Sequence, residues 1–113
     1  MGLRDQMHRK PHELSGGQQQ MVAFGRALLS DPQLFLFDEP SLGMAPIVVK
    51  EIGKIIRQLA NDGYTIVLVE QNATMALELA KNAYVLETGT VSLEGASEEL
   101  QKSDYVKKVY LGI

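Results

Sequence analysis

Two short runs in this sequence have residue types and spacing suited to chemistry. In Leu14-Ser15-Gly16-Gly17-Gln18 the serine is a favoured helix N-cap, and Gln18, three positions later, completes the reciprocal S-x-x-Q capping box. A helix start leaves backbone N–H groups unpaired and carries partial positive charge, so it can receive a phosphate. Gly16 and Gly17 present no side chain, which lets a ligand come close to the backbone. Without a ligand, the same pair costs helix stability for no packing return. On these five residues alone, a phosphate site and an ordinary capped helix both remain open. The second run is Leu34-Phe35-Leu36-Phe37-Asp38-Glu39. Its apolar stretch is too short for a helix and predicts a strand buried on both faces. Ligands of open α/β sheets sit beyond the carboxyl ends of the strands, where Asp38 and Glu39 fall. Side chains alternate along a strand, so the two carboxylates can address different targets. One can hold a hydrated Mg²⁺ while the other orients or deprotonates a water. The plainer reading is an acidic turn, since Asp and Glu ahead of Pro40 are also an ordinary turn signal.

These runs need elements to position them. Residues 16–31 predict a helix, with Met21, Val22, Phe24, Leu28 and Leu29 at helical spacing and Asp31-Pro32 closing it. Arg26 reads as a surface or salt-bridging residue. Pro46 suits a first helical turn, and Val48, Ile52, Ile55, Ile56 and Leu59 then form an amphipathic stripe that ends at Gly63, the expected C-cap. Thr65-Ile66-Val67-Leu68-Val69 predicts a second buried strand, ending in Glu70-Gln71-Asn72. Strand, helix and strand make the right-handed parallel unit, which puts Glu70 and Gln71 on the same side of the sheet as Asp38 and Glu39. Asn72 is set to cap a helix through residue 81 with Ala76, Leu77 and Ala80 inward. Tyr84–Glu87 and Val91–Glu94 alternate around Thr88-Gly89, a hairpin signal. Ser97-Glu98-Glu99 opens a short helix with acids at its positive end, and a last helix spans about 104–111 with Lys107 and Lys108 on a solvated face.

Composition narrows the function classes. The chain has 113 residues, 45% of them hydrophobic, enough for one small domain. A net charge of −3 argues against non-specific nucleic-acid binding. The absence of cysteine excludes disulfides and thiolate metal sites. No apolar run approaches membrane-spanning length, and no apolar stretch of a signal peptide follows Met1. Gln6 stands where N-myristoylation needs Ser or Thr. A soluble cytosolic protein of bacterial type is the expectation. His8 and His12 stand four apart, but Pro11 lies between them and nothing completes a metal site in register.

Taken together, Leu14–Gln18, the spacer helix and the acidic strand end resemble the signature sequence, Walker B strand and catalytic glutamate of ABC-type ATPases. Pro40-Ser41-Leu42-Gly43-Met44 falls where that family has its D-loop. The resemblance runs over essentially the whole chain. Gln18-Gln19-Gln20-Met21, Glu39 through Pro46, Val69-Glu70-Gln71-Asn72 and Tyr84-Val85-Leu86-Glu87 are similar in particular to the ATP-binding subunits of branched-chain amino acid importers.

The resemblance implies an α/β fold, part of the P-loop NTPase architecture, with parallel strands flanked by helices and a C-terminal hairpin and short helices. Residues 1–113 then correspond to the C-terminal half of the nucleotide-binding domain. By the same resemblance Asp38 holds Mg²⁺ through water and Glu39 is the general base. Ser15, Gly16, Gly17 and Gln18 bind the γ-phosphate of an ATP held mainly by the opposite subunit. Gln71 stands where most of the family has a γ-phosphate-contacting histidine. Glutamine keeps hydrogen bonding but cannot become cationic or shuttle a proton. Ala45 replaces the usual D-loop aspartate, which puts that loop's cross-subunit bond in doubt. The implied partners are a second ABC ATPase subunit and transmembrane permease subunits, with no nucleic acid. The implied place is cytoplasmic, peripheral at the inner face of the membrane.

One motif does not occur. A phosphate loop needs G-x-x-x-x-G-K-[ST], and the only Gly-Lys, Gly53-Lys54, is followed by Ile55 and has Val48 where the first glycine belongs. The phosphate cradle, adenine-stacking aromatic and Q-loop glutamine belong to the other half of the domain. Positioning and charge stabilisation carry phosphoryl transfer, so this chain alone is expected to hydrolyse nothing useful. Parallel strands cut from their sheet also predict partial order or aggregation. The reading is thus an ATP-binding, ATP-hydrolysing subunit fragment of an importer for branched-chain amino acids. A catalytically inactive module that docks on an intact ABC ATPase is the alternative. A DNA-repair ATPase half ranks lower, because no heptad-rich flank or basic run is present.

Overall fold

The computed structural model describes residues 16–113, except for the side chains at positions 16–18, 20 and 21. His8, His12, Leu14 and Ser15, and the readings placed on them, lie outside the described residues. Where the length allowed one small domain, the chain divides into two compact units, one through Val67 and one from Leu68 to Ile113.

Alternating helix and strand build the first unit. Helix α1, Gly16–Leu29, buries Val22 and Phe24. Leu29, expected inward, is 74% exposed. The helix also stops two residues before the expected Asp31. The Ser30 hydroxyl donates to the Ala27 carbonyl at 2.7 Å, and Asp31 turns left-handed at φ 50°, so local polar contacts replace a further turn. Strand β1, Leu34–Asp38, has the expected bounds. Helix α2, Pro46–Asn61, starts on proline and buries Ile52, Ile56 and Leu59 from the expected stripe. Its end is a Schellman motif: the Gly63 N–H donates to the Ala60 carbonyl at 3.1 Å and the Tyr64 N–H to the Leu59 carbonyl at 3.1 Å. Gly63 adopts φ 96°, which only glycine takes without strain. Strand β2, Thr65–Val69, pairs with β1 in parallel.

An aromatic chain fastens this unit. The Phe24 ring meets Phe37 edge-on at 5.0 Å, Phe37 stacks on Phe35 at 5.4 Å, and Phe35 meets Tyr64 edge-on at 5.2 Å. Each such pair is worth about 0.5–1.5 kcal/mol beyond its buried area. The expectation of a strand covered on both faces is corrected here. Phe35 and Phe37 are buried, but Leu34 and Leu36 are 54% and 68% exposed. Composition states what a strand can bury, and in this chain α1 reaches only the phenylalanine face.

The second unit is mostly local in sequence. Asn72 caps α3, Ala73–Leu79, accepting from the Met75 N–H at 3.1 Å. Leu77 is buried as expected, Met75 joins it, and the helix ends two residues short of 81. Strands β3, Asn82–Glu87, and β4, Thr90–Ala96, pair antiparallel with a register shift between Val85 and Leu86. Thr88 and Gly89, at φ 50° and 80°, form the turn, and two positive φ values match the twist of tight hairpins. Helix α4, Ser97–Lys102, carries Glu98 and Glu99 in its first turn. Helix α5, Asp104–Val106, is capped by Ser103 and widens into a π-helical segment, Lys107–Leu111, where a single α-helix was expected. Leu77, Leu100 and Val106 form the core, with Ala83, Leu93, Tyr110 and Leu111 packed around them.

Candidate functional site

The turn after β1 shapes its acidic tip. Asp38, the last strand residue, is exposed, and Glu39 is half-buried. Glu39 has φ 49°, a left-handed conformation that costs an L-residue on the order of 1–2 kcal/mol. A residue before proline is already kept from the right-handed helical region. Pro40 and Ser41 are both buried, which anchors the chain just past the carboxylates. The Leu42 N–H donates to the Glu39 carbonyl at 3.1 Å and the Met44 N–H to the Ser41 carbonyl at 3.0 Å. Strain held in place by its surroundings is a feature of positions where geometry matters. Asp38 and Glu39 therefore leave the strand in directions set by a fixed, tight turn.

Gly16, Gly17 and Gln18 occupy the first turn of α1, and Ser15 lies outside the described residues. That turn contains no carboxylate, while Arg26 sits in the last turn. Charge on this helix therefore leaves its positive end available to an anion. The Phe24–Phe37 contact fixes the middle of α1 against the end of β1. Gly16 is about 12 Å further along the helix axis at the ordinary rise. The structure thus brings Asp38 and Glu39 together and places the glycine turn at a different position along α1.

Gln71 lies in the second unit, exposed, just past β2. Its neighbours hold the turn: the Asn72 N–H donates to Glu70 Oε1 at 3.4 Å, and Asn72 Oδ1 caps α3. Sequence reasoning treated Glu70 only as a polar strand end; its acceptor role was not foreseen.

A bound magnesium keeps most of its waters and takes one or two protein carboxylates plus phosphates. Among the described residues no group of three or more His, Cys, Asp or Glu gathers into a cage. An exposed carboxylate beside a second one at a strand tip is a donor set that fits such a partly hydrated ion. A carboxylate-free, glycine-opened helix turn likewise fits a phosphate.

A second polar cluster went unseen in the sequence. Tyr105 Oη donates to Glu87 Oε1 at 2.7 Å, and Ser92 Oγ donates to the same oxygen at 3.0 Å. Hydrogen bonds from Tyr105, Tyr110 and Ser92 hold the Glu87 carboxyl below its usual range. The Glu87 carboxylate in turn pushes Tyr110 up to about 12. The Tyr105 and Tyr110 rings meet edge-on at 6.2 Å. Nothing in the spacing of residues 87, 92, 105 and 110 announces this cluster, which ties the C-terminal segment to the hairpin.

The architecture is that of the ATP-binding cassettes, an α/β fold with parallel and antiparallel strands. The cassette MJ1267 of an ABC transporter, solved in its ADP conformation, is 28% identical, with a TM-score of 0.78 over 98% of this chain and 48% of that one. The family model for ABC transporters matches residues 1–42. The chain belongs to the ABC transporter family. It is 48% identical to the high-affinity branched-chain amino acid transport ATP-binding protein BraG of Pseudomonas aeruginosa, over 97% of this chain and 47% of that protein. It is 41% identical to the L-cystine import ATP-binding protein TcyC of Bacillus subtilis, over 88% of this chain and 40% of that protein. The chain therefore spans about half the length of the curated relatives it matches. No helix among the described residues is long and apolar enough to cross a membrane.

Proposed function

We propose that residues 1–113 are the C-terminal half of an importer's ATP-binding subunit and supply part of an ATP-hydrolysing centre. The observation that carries this reading is the β1 tip, with Glu39 held left-handed between Asp38 and the buried Pro40-Ser41 turn. In the assembled centre Asp38 holds a hydrated Mg²⁺, which neutralises charge on the nucleotide's phosphates when bound. Glu39 orients and deprotonates the attacking water, and its fixed backbone keeps the carboxylate in one place. Ser15, Gly16, Gly17 and Gln18 offer backbone and side-chain donors to the γ-phosphate of ATP held by a second ABC ATPase subunit. Gln71 makes a further γ-phosphate hydrogen bond without moving a proton.

The phosphate loop comes from residues outside this chain, so the chain binds and turns over ATP only in the completed assembly. Permease subunits are the membrane partners, and the cytoplasmic face of the membrane is the site of action. Branched-chain amino acids are the proposed solute class, supported by the 48% identity to BraG; the 41% identity to a cystine importer subunit marks the competing choice. A docking module without catalysis is the second reading, favoured by the lack of any G-x-x-x-x-G-K-[ST] run.

Assembling the chain with a phosphate-loop half and comparing Glu39→Gln with the unaltered chain separates the two. General-base loss lowers turnover about 10²- to 10⁴-fold with ATP binding retained. Turnover unchanged by Glu39→Gln contradicts the catalytic assignment, and binding without any turnover favours the docking module.

A further inference from the structure

The first unit's sheet presents an apolar face with no cover. Leu34 and Leu36 of β1 are 54% and 68% exposed, and Val67 of β2 is 47% exposed, while Phe35 and Phe37 on the other side are buried. Strands that are apolar on both sides belong to parallel sheets covered on both faces. Among the described residues this sheet has two strands, paired only with each other, so both outer edges also lack neighbours. Parallel sheets of that size are not stable on their own.

We infer that the Leu34, Leu36 and Val67 face is the docking surface for the other half of the cassette, the polypeptide that carries the glycine-lysine phosphate loop. This inference rests on the proposed function. Length favours that occupant. The chain aligns over 97% of its residues with BraG yet spans 47% of it, and over 98% with a solved cassette while spanning 48% of that one. More than half of the matched fold therefore lies outside these residues. A second copy of the chain could shield the leucines, but it would bring only this same pair of strands. The other half brings both cover and further strands.

The test co-expresses the full chain with a separate polypeptide, the part of Pseudomonas BraG that this chain does not span, and measures complex formation by sedimentation and affinity. A one-to-one complex is expected. Leu36→Asp is expected to weaken it roughly 10- to 100-fold, the equivalent of one leucine's burial, and Lys102→Ala, in the second unit, is expected to leave it unchanged. Val67→Thr, milder in shape, is checked by circular dichroism and weakens the complex less; it keeps the test valid if the aspartate variant misfolds. Amides of residues 34–37 gain hydrogen-exchange protection in the complex. Three outcomes overturn the inference: no complex, a complex indifferent to Leu36→Asp and Val67→Thr, or self-association through this face in place of the heteromeric pair. A Leu36-dependent complex without ATP turnover upholds the docking surface and removes the catalytic role, so the two fail separately.

Discussion

The two units solve the same problem with different resources. From Leu68 onward, nearly every element meets a neighbour close in sequence. The hairpin pairs with itself across Thr88-Gly89, and the C-terminal segment is tied back by Tyr105 and Tyr110 to Glu87. Its small core closes around Leu77, Leu100 and Val106. Through Val67, by contrast, a parallel pair depends on a crossover helix, and one sheet face has no cover. Antiparallel strands need only a short turn, whereas parallel ones need long connections and cover on both sides. The proposed chemistry sits on the less complete unit. A tip such as Asp38-Glu39 has to point out of a sheet end toward a ligand, so its strand is one that other chain must surround.

The sharpest way to strain this contrast is to weaken the first unit where it is fully packed. Ile52 is completely buried, and Ile52→Ala is expected to cost about 2–5 kcal/mol. Urea unfolding followed by exchange at residues 34–38 reads the loss, and protection that survives there refutes the picture of a barely sufficient unit. Less severe is Glu39→Gly. Relieving the left-handed backbone is expected to stabilise by about 1 kcal/mol, measured as a higher urea midpoint, even as the proposed base is lost. A lower midpoint means that the turn carries no strain.

In the second unit, Asn72→Ala removes a cap hydrogen bond to Met75 and is expected to cost about 1 kcal/mol, read as a lower urea midpoint. A shift well beyond that value indicates that the Gln71 turn supports more than α3. The smallest expected effect is that of pH. The Glu87 carboxyl is lowered by Tyr105, Tyr110 and Ser92, so its contribution is present above the ordinary carboxylate range and fades as acid protonates it through the lowered value. Tyr110 is raised from 10.0 to about 12, first by the Glu87 hydrogen bond. Its contribution is complete below pH 10 and is lost between pH 10 and about 12. Following Glu87 by NMR, Tyr105→Phe should return its titration toward the ordinary range; an unmoved titration breaks the latch. The group is exposed, so the change in stability is slight.

Much of the scaffold was legible because its signals are local. The strands Leu34–Asp38 and Thr65–Val69 have the expected bounds, set by apolar runs between prolines, glycine and acids. Gly63, Asn72 and the Thr88-Gly89 turn were likewise read from their own chemistry. Helix ends drifted where a side chain competes with the backbone, as Ser30 does. What covers a face could not be read, because Leu36 looks the same whether or not a partner lies over it. The Glu87 cluster was invisible for the same kind of reason: residues far apart in sequence meet only after folding. At the candidate site the carboxylates were readable as types in a place, whereas the left-handed turn at Glu39 was not, beyond the hint of Pro40.

Phosphate release from Mg-ATP tests the central claim most directly, measured for the chain alone and then with the phosphate-loop half added. The chain alone should release nothing above background and bind ATP at millimolar concentration or not at all, and turnover should begin on mixing. Robust turnover by the chain alone would contradict the account of a divided centre.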